Sequence, residues 1–441
     1  VREEPTPSKV PARANPDGEV PELRERFGAD PLVWTDTMLA ALKSGVKGGK
    51  WFSLKDKLYR AQTLRKAWKI VKGRRGGGGV DKVSLHQYGK QLEQRLSSLE
   101  TKLKAGRYEP KPAKRVFIPK AGGKEKRPLG IPTVEDRIVQ TALKLVIGPI
   151  FEIGFNTHSY GFRPGRGCKD ALGEVDGLLK EGYEWIVDAD LKNYFDTINH
   201  DKLMSLVRSK VADGLVLDLL ESYLKQGVLD ELGDWEPTEE GTPQGAVVSP
   251  LLANLFMDEL DHLLEEKGHR MVRYADDFVI LSRSRSEAEK ALELTREWTQ
   301  RRELVLHPEK TRLLTHREGF EFLGYRFVQG KRYVRQKSLT KIRSTLRPKT
   351  KRTQGRSLKA IIADINPVLV GWFGYYKHAH KNTFVWMDGW VRMRLRSTLR
   401  KRHGRKGRGR GKDHQRYPNE YFAKMGLFSL ERAHREACQS R

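Results

Sequence analysis

Two aspartates stand side by side in Tyr274-Ala275-Asp276-Asp277, within the segment MVRYADDFVIL. Val272 on one side and Phe278-Val279-Ile280 on the other make that segment a β-hairpin with an acidic turn. Adjacent carboxylates at a tight turn repel each other wherever water is partly excluded, so something must compensate them. A divalent cation is the economical answer, and oxygen ligands with no His or Cys nearby favour Mg²⁺ over zinc. Asp190 closes a second apolar run of strand length, YEWIVDAD, so one sheet could present it beside Asp276. Two metals held about 3.5 to 4 Å apart could then activate an attacking hydroxyl and stabilise a leaving pyrophosphate, which is nucleotidyl transfer. Asp188 lies on the same side of its strand as Asp190 and is the rival ligand, whereas Asp196 reads as structural.

The chain that must position these acids has 441 residues, enough for two to four packed units, and 38% hydrophobic residues, enough to fold. Its formal charge of +28, from 84 Lys and Arg against 56 Asp and Glu, points to a polyanionic partner, with nucleic acid the first candidate. Two cysteines, Cys168 and Cys438, make neither a disulfide framework nor a CxxC zinc module and fit a reducing cytoplasm. The charged, Pro-rich start lacks a signal-peptide core and no run of 18 apolar residues occurs, so a cytoplasmic protein with no membrane partner is expected.

Residues 1–30 have the composition of a disordered tail. Basic amphipathic helices follow between Leu32 and Val71, with Leu58, Leu64, Trp68 and Val71 at helical spacing. The GRRGGGG run from Gly73 lacks the Lys-Ser/Thr and preceding strand of a phosphate loop and reads as a flexible connection. KRVFIPKAGGKEKRPLGIP, residues 114–132, is a basic hairpin around a Gly-rich turn. Helices are expected over 134–150, 200–224 and 286–303, with a strongly apolar one opened by Pro243-Gln244-Gly245 and a strand pair over 320–327. Strands and helices alternate without regular βαβ spacing, which gives an α+β fold with a mainly antiparallel sheet. Beyond residue 335 the pattern is helical and basic. Pro367 divides one apolar stripe into two helices, a last helix spans 383–402, and HGRKGRGRGKDHQR has no core of its own.

The order FIPKAGGKEKRPLGIP, SYGFRPGRG, VDADLKNYFDTINH, GTPQGAVVSPLLANLFMDEL, RYADDF, LHPEKT and EFLGYRF resembles the reverse-transcriptase motif series in the variant of bacterial group II intron-encoded proteins. The resemblance runs from about Trp34 to Leu430. It implies a right-hand polymerase with fingers and an antiparallel-sheet palm, followed by an α-helical thumb or maturase domain. The corresponding divisions are a tail (1–30), an N-terminal extension and start of the fingers (31–110), fingers and palm (111–330), thumb/maturase (331–402) and a basic DNA-binding remnant (403–441).

By the same resemblance Asp190, Asp276 and Asp277 form a catalytic triad that binds two Mg²⁺ ions, for which Mn²⁺ can substitute. Lys120 and Arg127 clamp the triphosphate, with Lys124 and Lys126 as substitutes. Gln244 sits near the templating pair, and Lys310 gives a proton to the leaving pyrophosphate. Phe195 lies under the sugar and excludes a ribose 2′-hydroxyl. Phe322, Leu323, Gly324 and Tyr325 grip the primer end, the glycine allowing close backbone approach, while Arg163 and Arg166 touch template or primer phosphates. The implied partners are structured RNA of group II intron type, an RNA-template/DNA-primer duplex, target DNA and dNTPs, in a bacterial cytoplasm and at the nucleoid. The absence of Cys pairs and an HNH-like cluster before Arg441 implies a variant without the endonuclease domain of many relatives. The expected activity is RNA-directed DNA polymerisation with a maturase role in splicing and mobility. The competing expectations are an RNA-binding splicing cofactor with incidental polymerase activity and a host-adopted enzyme of DNA repair or defence.

Overall fold

The strand around Asp190 carries apolar residues at both parities, Ile186 and Val187, and the strand after Asp277 has four in a row. Such strands are stable only when both faces are covered. The computed structural model describes residues 19–119, 126–230, 233–409 and 411–439 and shows that arrangement. Four antiparallel strands form the palm in the order Arg270–Tyr274, Asp277–Ser282, Trp185–Asp190, Arg312–Thr315. Val187, Ala189, Met271, Phe278 and Ile280 face one core, shared with helices Val134–Glu152, Ser249–Glu266 and Arg285–Arg301. Ile186, Val272, Val279, Leu281 and Leu314 face a second core, shared with helix Cys168–Lys180 and the C-terminal helices. The α+β, antiparallel-palm expectation holds.

The basic hairpin forms between Ala113–Pro119 and Lys126–Ile131, and its first strand also pairs in parallel with Val228–Leu229. Lys120 and Lys124, at its turn, lie outside the described residues. Helix Val134–Glu152 starts where the Thr133 hydroxyl accepts the Asp136 amide at 3.1 Å. Asp213 caps helix Gly214–Lys225 and also accepts the amides of Leu54 and Lys55 at 2.8 and 2.9 Å, tying the N-terminal helices to the palm.

Several boundaries differ from expectation. Residues Glu19–Phe27, assigned to the tail, form a helix whose Phe27 is buried and whose Arg24 donates to the Trp34 carbonyl at 2.8 Å; the preceding residues of that tail lie outside the description. The glycine run is exposed from Gly73 to Gly77 and packs against the next helix start only at its end. A Cβ on Gly79 would stand 2.7 Å from the Thr133 backbone, and Arg137 donates to the Gly77 carbonyl at 2.6 Å. The 200–224 segment is two helices, His200–Arg208 and Gly214–Lys225, interrupted where Val211 pairs with Trp51. The helix after Pro243 begins only at Ser249, with Pro250 in its first turn.

In the thumb, a further strand, Lys331–Val334, precedes the helices. Leu358–Tyr376 is one helix with Pro367 inside it, because Ile362, Ile365 and Leu369 bury the stripe on both sides of the missing N–H. The chain continues through and beyond the Gly/Arg segment 403–416 in three short helices. Helices Lys412–Arg416, Asn419–Lys424 and Leu430–Gln439 pack back on the thumb with Tyr417, Phe422 and Leu430 buried.

The last helix is held by a side chain on Asn382–Arg402. Asp388, buried, accepts from the Leu430 amide at 3.0 Å and the Ser429 hydroxyl at 2.8 Å. Asp388→Ala leaves these donors unpaired in the interior and is expected to cost about 1–3 kcal/mol. Asp388→Asn, which keeps an acceptor, is expected to cost less. Urea unfolding of the two variants measures the difference, and equal stability of Asp388→Ala and the parent would remove this anchor.

Candidate active site

The acidic turn is built from behind. Arg273, fully buried, directs its guanidinium to the Asp261 carboxylate at 2.8 Å, to the Asn254 side-chain oxygen at 3.0 Å and to the Ala275 carbonyl at 3.0 Å. Its backbone pairs with the segment before the Gly161 turn, accepting the Tyr160 amide at 2.8 Å and donating to the His158 carbonyl at 3.0 Å. Asn254 in turn donates to the Gly161 carbonyl at 2.6 Å. Ala275 adopts φ +60°, a left-handed conformation that a non-glycine residue occupies only when its surroundings hold it there.

Pairing register then sets the acids. Asp190 lies opposite Asp277, and Tyr274 opposite Asp277 on its other side. Burial comes first among the causes that push Asp277 up to about 7, followed by the charges of Asp276, Asp188 and Asp190 with the Leu323 amide opposing. Asp276 is raised by burial and then by Asp190, with Arg127 and Arg273 opposing. Asp188 is pushed up to about 6 by burial against the opposing Arg312, 3.4 Å away. Negative charge has therefore been gathered beyond what local cations balance. Lys310 covers part of it, donating to Asp190 at 2.5 Å.

Asp190, Asp276, Asp277 and Lys310 line one cleft of about 580 Å³, together with Lys126, Arg127, Phe162, Phe195, Gln244 and Leu323. Sequence-selected residues separated by nearly 200 positions thus converge. Phe195 follows Asn193 (φ +52°) in a single helical turn; Tyr194 enters the core and donates to the Ala253 carbonyl at 2.7 Å, leaving Phe195 half-buried at the cleft. Gln244 donates to both oxygens of Asp196 at 2.9 Å, and both residues line the cleft.

Other selected residues lie elsewhere. Arg163 is buried and spends its donors on Glu152 at 2.9 Å and on the Asn156 and Ser159 carbonyls at 2.5 and 2.7 Å, so it is a structural residue and not a phosphate contact. Arg166 donates to the Thr157 carbonyl and lies 5.7 Å from the Tyr160 ring, half-buried beside the same loop. Phe322 and Tyr325 are core residues, and of the four hairpin residues only Leu323 reaches the cleft. Gly324 has φ +81°, and a Cβ there would stand 2.8 Å from the Tyr376 hydroxyl, so the close approach it permits is to the thumb.

Sequence reading passed over Phe162, Gly161 and Arg273. Phe162 is an exposed ring at φ +59°, 6.1 Å from Tyr274. Its adjacency to Gly161 in a loop was the available signal. Arg273 carried none, since an arginine in a strand reads as solvated.

Aspartate oxygens at a partly dry sheet edge with surplus negative charge fit a hard divalent cation. Among the described residues no three His, Cys, Asp or Glu side chains are already drawn into a cage. The carboxylates of Asp190, Asp276 and Asp277 are the donors within reach, with Lys310 holding the place of a positive charge on Asp190.

Residues 118–327 match the family model "Reverse transcriptase (RNA-dependent DNA polymerase)", and residues 339–417 match "Group II intron, maturase-specific domain". Protein YkfC of Escherichia coli is 35% identical over 290 residues, covering 57% of this chain and 76% of that protein. The chain belongs to the group II intron reverse transcriptase/maturase family. It is an enzyme of the RNA-dependent DNA polymerase class. The group II intron-encoded protein LtrA of Lactococcus lactis subsp. cremoris is 39% identical over 169 residues, 38% of this chain but 28% of LtrA. A 91 kDa protein in the cob intron of Schizosaccharomyces pombe is 42% identical over 163 residues, 37% of this chain and 20% of that protein. The maturase-specific match ends at 417 and so includes the Gly/Arg segment 403–416.

Gly161 tests the architecture of the acidic turn. A Cβ at that position would lie 2.4 Å from the Ala275 amide nitrogen, so Gly161→Ala must displace the acidic turn. A misplacement of about 1 Å is expected to lower primer extension by about 100-fold while far-ultraviolet circular dichroism stays native. Parental activity in that variant would show that the turn does not need this contact.

Proposed function

We propose that the cleft between the basic hairpin and the acidic turn polymerises deoxynucleotides on an RNA template, with Asp190, Asp276 and Asp277 as its metal-binding acids. The observation that carries this is their convergence with Arg127, Phe195, Gln244 and Lys310 around one cleft. Asp190, Asp276 and Asp277 would hold two Mg²⁺, with Mn²⁺ able to substitute. When bound, the ions supply activation of the primer hydroxyl and charge neutralisation at the departing pyrophosphate.

The protein's own contribution is placement and charge. Arg127, with Lys126 beside it, aligns the triphosphate from the fingers side. Lys310, already at Asp190, stands where it can give a proton to the leaving group. Phe195 occupies the space a 2′-hydroxyl would need, so discrimination is by exclusion. Leu323 offers an apolar edge to the primer end.

The thumb reading is that of an RNA-binding maturase surface serving splicing and mobility of a group II intron. Arg343 stacks 3.9 Å over Trp386, which is itself 46% exposed, a pairing suited to phosphates and unstacked bases of structured RNA. Target DNA is the remaining nucleic-acid partner, and the site of action is the bacterial cytoplasm and nucleoid.

Primer extension on an RNA template with dNTPs and Mg²⁺ is expected to be abolished in Asp276→Ala; full activity there would sink the assignment of the acids. Phe195→Ala is expected to incorporate ribonucleotides at least about tenfold more readily than the parent, the scale of a small steric discrimination. Unchanged selectivity in single-nucleotide incorporation would assign the sugar check to another group.

A further inference from the structure

Phe162 is an aromatic ring held where a bulky side chain rarely stands. Its φ of +59° lies in the left-handed region, and 51% of the residue is exposed. Both neighbours keep it there. Gly161 is fastened by Asn254 and packed on the Ala275 backbone, and the buried Arg163 has its donors on Glu152 and on the Asn156 and Ser159 carbonyls. Locked residues on either side thus leave the ring in one place. That place borders two spaces. One is the cleft of the acidic turn, and the other is a cavity of about 130 Å³ bounded by helix Ala61–Arg74, helix Val134–Glu152, the start of helix Ser249–Glu266 and the Phe162 loop itself.

The lining of that cavity sets what it can hold. Ile70, Leu145, Phe155, Val247 and Leu251 give it apolar walls. Most of its polar side chains are already committed. Thr141 donates to the Arg137 carbonyl at 2.6 Å, Asn254 is spent on Gly161 and Arg273, and Glu152 and Arg163 satisfy each other at 2.8 Å. Among the described residues, Lys144 and Arg74 of this lining have neither an ion pair nor a side-chain hydrogen bond. An apolar space of this size takes a single ring, as a cavity of about 150 Å³ takes benzene. Two uncommitted cations in its wall call for an anion beside that ring.

We propose that this cavity is a subsite for one unpaired nucleotide of the template strand, its base entering against Phe162 and its phosphate meeting Lys144 and Arg74. A nucleotide joins a planar ring to an anionic phosphate, which is the combination the lining asks for. The shared Phe162 sets the cavity beside the cleft, and the template ahead of the primer end is the part of a primer–template duplex that has bases free to leave the stack. Base–aromatic contact tolerates any base, so the subsite holds the strand without reading it. The inference rests on the RNA-template reading of the cleft made above and adds where the strand lies before it is copied.

Gly148 supplies the test, because it lines the cavity and a Cβ built there meets nothing within 4 Å, so Gly148→Leu puts a side chain into the space. Fluorescence anisotropy of the full chain, without dNTP or metal ion, measures binding of a DNA primer on an RNA template with a short 5′ overhang, each overhang position in turn made abasic. In the parent, one abasic position is expected to weaken binding by about tenfold, the worth of a single base–aromatic contact. Gly148→Leu is expected to bind the intact overhang about that much more weakly than the parent and to be indifferent to the abasic change. Lys144→Gln is expected to weaken overhang binding several-fold and to reduce its salt slope by about one, with the loss confined to duplexes that carry the overhang. A parent indifferent to abasic substitution at every position would overturn the proposal. So would equal weakening of blunt and overhanging duplexes in both variants, the mark of a disturbed helix. Saturable binding of adenosine monophosphate beside that indifference would assign the cavity to a free nucleotide instead. A parent that binds the duplex but cannot extend it with dNTPs and Mg²⁺ removes the RNA-template reading, whereas an extending parent with no abasic effect removes this inference alone.

Discussion

A single buried guanidinium, that of Arg273, is the constraint on which the arrangement of the cleft depends. It sits directly behind the acidic turn and cannot lose its charge, so its neighbours must be built around it. Asp261 supplies the neutralising carboxylate, Asn254 and the Ala275 carbonyl take further donors, and Asn254 then fastens the Gly161 backbone. Removing either charge of such a pair leaves the other uncompensated in the interior, at a cost of about 3–5 kcal/mol. The pair therefore contributes more to specifying one conformation of the turn than to net stability. Its field also opposes the rise in the Asp276 pKa, so the same group that shapes the turn helps keep it ionised.

The palm sheet explains why the acids converge at one end. Both faces are apolar over most of the strand length, and the strands are consequently locked in register, since a slip of one residue would exchange the two cores. Within that register Asp188 and Asp190 continue the face that begins with Ile186, and Asp277 continues the face of Val279 and Leu281. Asp277 thus occupies the end of a row that is otherwise hydrophobic, while Asp188 and Asp190 follow Ile186 on theirs. Burial leads the causes that raise Asp277 and Asp188 for this reason.

What the sequence disclosed were features whose cause is local. Short apolar runs of strand length beside acidic residues made the hairpin and the Asp190 strand legible, and the order of short motifs linked them to the basic hairpin and to Lys310. What stayed hidden depended on tertiary partners that no local pattern announces. Arg163 reads as a surface cation, yet Glu152 and three backbone carbonyls consume its donors. Tyr375 reads as one ring in an amphipathic stripe, yet its hydroxyl meets a turn 52 positions earlier. Pro367 follows the same logic in reverse. The local rule says that a helix ends, but the burial of Ile362, Ile365 and Leu369 outweighs one missing hydrogen bond.

The charge distribution poses a problem whose resolution bears on how the proposed reaction is ordered. A chain of formal charge +28 draws polyanions to its surface, but the field of exposed cations is screened over roughly 10 Å in physiological salt. At the cleft floor an incoming triphosphate meets carboxylates, among them Asp277, raised to about 7 by burial first and by its acidic neighbours second, with Lys310 and Arg127 as the nearby positive charges. Long-range attraction and short-range repulsion act at different distances and do not cancel. Under the proposed assignment, divalent-cation binding and nucleotide binding must therefore favour each other, because each neutralises the charge the other has to face. Lys310 fits this scheme as a resident counter-charge: its flexible ammonium stabilises Asp190 before a cation arrives, and it can turn towards phosphate afterwards.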